Sequence, residues 1–299
     1  MKTRKADFDV IIVGGSYAGM AAALQLARAR RRVLVLDAGQ RRNRFAATSH
    51  GFLTQDGESP AAIAERAREQ LLAYPTVQWR TATVREARKQ DTHFLVTTDD
   101  QATASGHLLV LALGVVDEMP PLPGVTERWG KSVFHCPYCH GYELNQGRIG
   151  VLATGAHSLH HAQMLPDWGS VTLFTNGTFE PDDAQRADLQ TRGVAIETTP
   201  VARIIETATV ALVDGRHLPQ DGLFTACRTR PASPLAEQLG CAMEEGPLGP
   251  FIQVDALKTT SVPGVFACGD IARGAGSVAL SVGDGTQAGV SAHRTLLFP

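Results

Sequence analysis

The N-terminal segment of the chain carries the feature that most constrains the fold. The apolar run "FDVIIV" (8–13) leads into the turn "GGSYAG", an alanine-rich helical pattern and a second apolar run, "RVLVLD", which ends at Asp37. This order predicts a βαβ unit, in which the N-terminus of the helix suits the pyrophosphate of a dinucleotide. Gly14, Ser16 and Gly19 occupy the G-x-G-x-x-G positions, and Asp37 is placed to accept a hydrogen bond from a ribose hydroxyl.

A second unit of the same kind begins near residue 148. "RIGVLA" (148–153) predicts a strand, "TGAHSLHHAQML" a turn and a helix, and "SVTLFT" (170–175) the next strand. The proline-rich "EMPPLPG" (118–124) precedes it and is typical of a linker. A buried strand at 107–114 and a final helix at 278–297 complete the pattern, which predicts an α/β chain with two dinucleotide-binding-type domains.

The charge balance of the chain excludes some partners. Twenty-eight basic and 30 acidic residues in 299 give a net charge of −2, so we expect neither nucleic acid nor an anionic membrane as partner. No run reaches the roughly 18 apolar residues of a membrane span, and the N-terminus lacks the pattern of a signal peptide. We therefore expect a cytoplasmic protein.

The stretch "SVFHCPYCHGYEL" (132–144) places Cys136 and Cys139 two residues apart, with a histidine on each side. Such a pair in a cytoplasmic protein is a reactive disulfide, a metal site or two inert thiols. Zinc is the weaker interpretation, because all four donors lie within six residues and no second ligand pair follows. The other cysteines stand alone and are expected to be buried: Cys227, Cys241 and Cys268.

Further motifs resemble a known family. "TSVPGVFACGD" (260–270) is similar to the second FAD-binding motif of the flavoprotein disulfide reductases, and "LVLALG" (109–114) resembles the strand and turn before their second domain. When "GGSYAG" and "CPYCHG" are considered as well, the chain is most similar overall to the low-molecular-weight thioredoxin reductases. The resemblance implies two Rossmann-like domains: a discontinuous FAD-binding domain, 1–117 and 241–299, and an inserted NAD(P)H-type domain, 118–240, that carries the cysteine pair.

The same resemblance implies roles for individual residues. Cys139 would face the flavin, Cys136 would exchange with the substrate, and His140, in the place of an aspartate in the family, would deprotonate a thiol or stabilise a thiolate. No metal ligand is expected. The positions that match FAD contacts of the family are Gly14, Gly15, Ser16, Ala18, Gly19, Asp37, Ala38, Asn43, His50, Val84, Ala112, Gly114, Gly269 and Asp270.

The second nucleotide-binding turn departs from the family. "ATGAHS" (153–158) keeps only Gly155 of three glycine positions, and "FTNGTF" (174–179) contains no arginine or lysine for a 2′-phosphate. NAD(P)H is therefore a doubtful cofactor. In the helix that follows, His157 and His161 are four residues apart, and we expect them to be solvated or to cap the helix.

These patterns predict an FAD-dependent thiol–disulfide oxidoreductase. A dithiol oxidase-like or non-NADPH enzyme is favoured, since "CPYCHG" also resembles the flavin-dependent dithiol oxidases of gliotoxin and holomycin biosynthesis. The alternatives are an NADPH-dependent thioredoxin reductase, a relative that takes electrons from ferredoxin, and a flavin-bound redox sensor. The expected partner is a thioredoxin-like protein or a small dithiol or disulfide, and the family implies a homodimer.

Overall fold

The computed structural model describes residues 6–298 and divides into two compact units. The first comprises the chain up to Arg44, Ala61–Val116 and the chain from Thr229 onward; the second comprises Phe45–Pro60 and Asp117–Arg228. The chain passes between the units after Arg44 and after Pro60, and again in strands Val115–Glu118 and Arg228–Pro231. The insertion was predicted at 118–240. In the structure, 45–60 fall in the second unit as well, and 229–240 fall in the first. Those limits concern cofactor binding, which a compact unit does not define, and they stay a prediction.

The first unit is built on a mixed sheet. The middle segments of its central strands are apolar because both faces are covered, and Ile11 lies in parallel register between Leu34 and Leu109. The parallel strands are Val77–Thr81, Val33–Asp37, Phe8–Val13, Thr103–Leu111 and Val265–Ala267, and the antiparallel extension is His93–Thr98 and Val84–Gln90. The predicted first βαβ unit is confirmed by strands 8–13 and 33–37 and by helix Tyr17–Arg28 between them.

Four helices and a hairpin complete the first unit. The helices are Tyr17–Arg28, Pro60–Leu72, Leu235–Gln238 and Val278–Leu297, and the hairpin is Met243–Gly246 with Gly249–Ile252. The last helix has the bounds that the sequence predicts, and it packs along the first helix. Glycines permit this approach: a Cβ on Gly285 would overlap the carbonyl oxygen of Ala18, and one on Gly289 would stand 2.5 Å from that of Ala22.

The second unit contains a parallel sheet and a small antiparallel one. The parallel strands are Ala195–Glu197, Ser170–Phe174, Arg148–Leu152, Gly222–Phe224 and Val133–Phe134, and the antiparallel strands are Val201–Ile205, Thr209–Leu212 and His217–Leu218. Its helices are Pro137–His140, Ser158–Met164 and Asp183–Thr191. The predicted second βαβ unit is thus confirmed by strands 148–152 and 170–174 and by helix 158–164.

No helix among residues 6–298 is long and apolar enough to cross a membrane. The cytoplasmic location stays a prediction.

The contact between the first and last helices yields a matched pair of substitutions. Gly285→Ala should lower the melting temperature, because the added methyl group overlaps the backbone of Ala18. Gly283→Ala, two residues earlier in the same helix, has open space around its Cβ position and should stabilise by up to about 1 kcal/mol through helix propensity. Differential scanning calorimetry of both variants measures the difference. Equal melting temperatures would contradict the proposed packing.

Candidate active site

The cysteine pair lies in a short helical turn of the second unit. Cys136, in extended conformation, is the N-cap of Pro137–His140, and Cys139 lies in the third helical position. This places the two Cα atoms 5.3 Å apart, within the usual range for a disulfide, and the sulfurs are bonded. Bonded sulfurs are not available as metal ligands, and residues 6–298 contain no group of three acidic, histidine or cysteine side chains able to hold a metal ion. The geometry favours the reactive disulfide over the zinc interpretation.

Trp168 supports the far end of this turn. Its indole packs on Gly141, where a Cβ would stand 2.8 Å from the ring, and it meets the ring of Tyr138 edge to face at 5.4 Å. Tyr138 lies between the two cysteines, and 73% of it is exposed. Tyr138 also lines a cavity of about 400 Å³, together with Gln163, Met164, Pro166, Asp167, Trp168 and Arg192. The turn therefore presents an aromatic surface next to the disulfide.

His140 stacks on Phe134, with ring centroids 4.2 Å apart. Burial and the nearby His50 lower the pKa of His140 from its ordinary value to about 4. The imidazole is therefore neutral at pH 7 while the disulfide is intact. A neutral imidazole can act as a base for a thiol, which is the first role predicted for His140. The second predicted role, stabilising a thiolate by positive charge, requires the imidazole to be protonated first.

We expected His161 to be solvated or to cap the helix, and for this residue the expectation is wrong. Its ring packs against Phe224 at 6.3 Å, and Nδ1 is buried without a hydrogen-bond partner in the part of the chain that the structure describes. Burial lowers its pKa to about 4, against a smaller opposing effect of a hydrogen bond to the backbone of His135. His157 is exposed, as expected. Apolar residues of helix 158–164 and the sheet pack together on this side, and His161 is half-buried, whereas His157 is exposed.

His50 lies in the part of the second unit formed by 45–60. Its Nε2 is 3.4 Å from Oε1 of Glu143, and its Nδ1 is 3.7 Å from Oδ1 of Asp56. The predicted FAD contact of His50 stays a prediction.

The other three cysteines are buried, as predicted. Burial raises the pKa of Cys268 to about 12, and it raises that of Cys241 as well. Because the thiolate is the reactive form, neither thiol competes with the pair at 136 and 139.

The buried histidines predict acid sensitivity. The unfolded chain binds protons near pH 6.5, whereas folded His140 and His161 bind them near pH 4, so stability is complete above pH 6.5 and falls as the pH drops toward 4. Each histidine should contribute a slope of about 1.4 kcal/mol per pH unit within that window. His140→Phe and His161→Leu should each flatten the dependence.

Urea unfolding at pH 7, 6 and 5 measures these slopes. His217→Gln, a change in an exposed side chain of strand 217–218, serves as the control and should retain the wild-type slope. Identical slopes in wild type, His140→Phe and His161→Leu would refute the assignment.

The first glycine-rich turn has the geometry of a pyrophosphate cradle. Gly14 adopts a left-handed conformation (φ 104°) in close contact with the carbonyl of Ala112, so only glycine fits there. The N–H of Gly15 donates to Oδ1 of Asp37 at 3.0 Å, which orients that carboxylate at the end of its strand. Ser16 is the N-cap of helix 17–28, and its hydroxyl makes no cap hydrogen bond.

Other predicted FAD-contact positions surround this turn within the first unit. Ala18 is buried against Gly269, and Oδ2 of Asp270 accepts from Arg42 at 2.9 Å. Val84 begins a strand, Ala112 and Gly114 follow the end of strand 103–111, and Ala38 is exposed beside Asp37. All the predicted FAD positions except His50 thus lie in one unit.

Two buried polar atoms in this region fit a bound polar group. Oδ1 of Asn43 and Nε of Arg41 have no hydrogen-bond partner among residues 6–298, although both are buried. Burying such atoms unpaired costs free energy, so a ligand that pairs with them is favoured. The residues present therefore fit a dinucleotide such as FAD.

The second nucleotide-binding-type turn, residues 153–158, satisfies its own hydrogen-bonding groups. The N–H of Thr154 donates to Oγ of Ser158 at 3.0 Å, and the N–H groups of Ser158 and Leu159 donate to the carbonyls of Gly155 and Ala156 at 3.0 and 3.1 Å. The ring of His157 lies over Gly155, with Nε2 3.2 Å from Oγ1 of Thr154. Groups that would meet a phosphate in a dinucleotide site already have partners here.

Residues 174–179, at the expected 2′-phosphate position, contain no arginine or lysine. Asn176, after strand 170–174, accepts the N–H of Val201 at 2.8 Å. The next basic residue, Arg186, is paired with Glu180 at 2.7 Å and donates to the carbonyl of Pro181. A 2′-phosphate brought to this turn would thus have to compete for a guanidinium that is already engaged.

Comparison with known proteins decides the family. The sequence profile of the pyridine nucleotide-disulphide oxidoreductases matches residues 8–285. The chain belongs to this family.

Among its members, thioredoxin reductase tcpT of Claviceps purpurea is 32% identical, over 97% of this chain and 94% of that protein. Thioredoxin reductase sirT of Leptosphaeria maculans is 30% identical over the same shares. The crystal structure of an oxidoreductase from Agrobacterium tumefaciens superposes with a TM-score of 0.96 at 55% identity, covering 98% of this chain and 99% of that one.

Membership confirms several predictions. The protein is an oxidoreductase of the thioredoxin reductase type, its fold is that of the two-domain α/β flavoproteins, and its cofactor is FAD. The sequence did not single out Trp168, which supports the cysteine turn, or Trp79, which packs on Gly15 of the first glycine-rich turn. A tryptophan carries no local pattern that reveals such a contact.

Proposed function

We propose that this disulfide oxidoreductase oxidises small dithiols and does not draw electrons from NADPH. The observation that carries the proposal is the self-bonded second turn, in which Thr154, Ser158 and Leu159 have their N–H groups engaged internally. A nucleotide would have to break these bonds without gaining a cation in return. The exposed Tyr138, which lies between the two cysteines in the turn, in contrast lines an open cavity together with Trp168.

The cysteines perform thiol–disulfide exchange. A substrate thiolate attacks the sulfur of Cys136, the Cys136–Cys139 bond breaks, and Cys139 leaves as a thiolate. The second substrate thiol then attacks the mixed disulfide, which releases Cys136 and a cyclic substrate disulfide. Two electrons thereby enter the cysteine pair, and two protons leave the substrate.

Proton handling falls to His140. Its imidazole, adjacent to Cys139 in sequence, takes up a proton once a thiolate forms beside it, because the negative charge of that thiolate raises the imidazole pKa from about 4. FAD supplies a two-electron acceptor for the reduced pair. With molecular oxygen as the final acceptor, the overall reaction is one dithiol plus oxygen to one disulfide plus hydrogen peroxide.

FAD is proposed to be held by the first glycine-rich turn and its neighbours. Gly14, Gly15 and Ser16 would face the pyrophosphate, Asp37 a ribose, and Asp270 the ribityl side. Supporting this are the Asp37–Gly15 hydrogen bond and the unpartnered atoms of Asn43 and Arg41.

NADPH-dependent thioredoxin reduction is the second candidate, because the relatives tcpT and sirT are named thioredoxin reductases. Under this alternative the partner is a thioredoxin-like protein. A redox sensor would be oxidised once without further turnover. Homodimer formation and the absence of nucleic acid and membrane partners stay predictions.

Oxygen consumption distinguishes the candidates. With dithiothreitol as the probe, the FAD-loaded protein should consume oxygen and form equimolar hydrogen peroxide over many turnovers. Cys136→Ser and Cys139→Ser should each lower this rate at least 100-fold, because the exchange needs both sulfurs. Cys227→Ser, distant in sequence and buried, is the control and should retain activity. If the protein rapidly reduced a disulfide with NADPH and consumed no oxygen with dithiothreitol, the reductase function would be established instead.

The ribose contact predicts a loss of cofactor affinity. Asp37→Ala removes the acceptor of the Gly15 N–H and the proposed ribose partner, which should weaken FAD binding about 10- to 100-fold, or roughly 1.5–3 kcal/mol. Flavin fluorescence during titration of apoprotein measures the affinity, and Asp183→Ala, an exposed side chain of helix Asp183–Thr191 in the second unit, is the control. Unchanged affinity in Asp37→Ala would exclude the proposed contact.

A further inference from the structure

The redox turn Pro137–His140 ends against an indole ring. The N–H of Gly141 donates to the carbonyl of Pro137 at 2.7 Å and completes the single helical turn that contains Cys139. A Cβ on Gly141 would stand 2.8 Å from both Cγ and Cδ1 of Trp168, so the ring lies directly on this peptide. A helix of four residues makes too few hydrogen bonds to offset the fixing of its backbone. The turn therefore depends on contacts made from outside it.

Trp168 contacts the turn at a second point. The ring of Tyr138 meets the indole edge to face, with the ring centroids 5.4 Å apart. This geometry favours a pair of aromatic rings beyond the area that they bury. Tyr138 and Gly141 are three residues apart, a spacing that places them on one face of a helical turn. The indole thus spans the turn from the residue before Cys139 to the second residue after it.

The indole is itself fixed to the core of the second unit. The N–H of Trp168 donates to the carbonyl of the buried Leu165, and the N–H of Ser170 donates to the carbonyl of Gly147, both at 2.9 Å. Strand Ser170–Phe174, which follows, belongs to the parallel sheet, and the indole packs against the apolar cluster formed by this sheet and its helices. The sheet therefore sets the position of the ring, whatever the state of the disulfide.

We propose that Trp168 is a positioning residue for the redox pair: its indole holds the turn in place when the disulfide opens, so that Cys136 and Cys139 stay ready to close again. Their Cα atoms are 5.3 Å apart, a distance that suits a disulfide. Thiols whose backbone is already in this arrangement lose less conformational freedom on closure, which favours the disulfide. Trp168 thereby raises the effective concentration of one sulfur at the other.

A second aromatic contact limits the size of the expected effect. His140 stacks on Phe134 of strand Val133–Phe134, with the ring centroids 4.2 Å apart, and this stack does not involve the indole. It stays in place when Trp168 is replaced. We therefore expect the loss of Trp168 to shift the equilibrium of the pair without abolishing the disulfide.

Glutathione redox buffers test this inference on the FAD-loaded protein without oxygen. In these buffers the disulfide and two glutathione thiols are in equilibrium with two cysteine thiols and one glutathione disulfide. Alkylation traps the free thiols, and mass spectrometry of the peptide that contains both cysteines measures the oxidised fraction. Trp168→Ala should lower the equilibrium constant for disulfide formation three- to tenfold, a shift of about 15 to 30 mV toward a more oxidising potential.

This equilibrium concerns the pair alone, so the test has the same meaning whether a dithiol or NADPH supplies electrons to the enzyme. Trp168→Phe keeps an aromatic ring and should stay within twofold of wild type. Ile196→Ala is the matched control, because Ile196 of strand Ala195–Glu197 packs on the same apolar cluster as Trp168. It should also stay within twofold of wild type.

If Trp168→Ala does not fold, Trp168→Leu replaces it, because leucine fills space without an aromatic ring. A wild-type equilibrium in the variant without the ring would overturn the inference. Equal shifts in Trp168→Phe and Trp168→Ala would exclude the aromatic contact as the cause. An equal shift in Ile196→Ala would overturn the inference as well, because general loosening of the core would then be responsible.

Discussion

The close approach of the first and last helices is the constraint on which the first unit depends. The long insertion 117–228 separates the N-terminal part of this unit from its C-terminal part, which are joined in the fold by the pairing of strand Val265–Ala267 with strand Thr103–Leu111 and by the packing of the first and last helices. Gly285 and Gly289 provide that contact on Ala18 and Ala22. The buried Asp284 beside them pairs with Arg273 and Lys258, each at 2.7 Å, which fixes the last helix to the segment before it.

The same contact shapes the predicted cofactor region. The backbone of Ala18 lies against Gly285 of the last helix, and its Cβ lies against Gly269 of the motif that precedes this helix, so a larger side chain at 18 would collide with Gly269. Asp270, next to Gly269, is in turn paired with Arg42. Residues from both ends of the sequence thus hold one another in position. The proposed FAD contacts of Asp37 and Asp270 therefore depend on the packing of the last helix against the first.

The two glycine-position turns show how similar local sequences differ in chemistry. In the first, the Ser16 hydroxyl makes no cap hydrogen bond, and Gly15 uses its N–H to orient Asp37. In the second, Ser158 accepts from the N–H of Thr154, and a histidine lies over the remaining glycine. The hydroxyl of Ser16 leaves the N–H groups of the first turn without a side-chain acceptor, whereas the hydroxyl of Ser158 occupies an N–H group of the second. This difference is the argument against a nicotinamide nucleotide at the second turn.

The sequence predicted the elements that depend on local pattern. Both βαβ units, the last helix at 278–297, the buried lone cysteines and the cysteine pair all follow from periodicity or spacing over a few residues. Contacts between distant residues were not predictable: Trp168 against Gly141, His161 against Phe224, and the Gly285–Ala18 approach. His161 was placed in solvent because a four-residue spacing identifies a helix face without showing whether that face is covered.

The most direct measurement of the central claim is an anaerobic titration of the FAD-loaded protein with dithiothreitol, followed by flavin absorbance. The cysteine pair and FAD each take two electrons, so complete bleaching should require two dithiol equivalents per chain. The Cys136→Ser/Cys139→Ser variant should remain oxidised, and NADPH should bleach neither protein. Bleaching of the double variant by dithiol, or stoichiometric bleaching of the wild type by NADPH, would contradict the account.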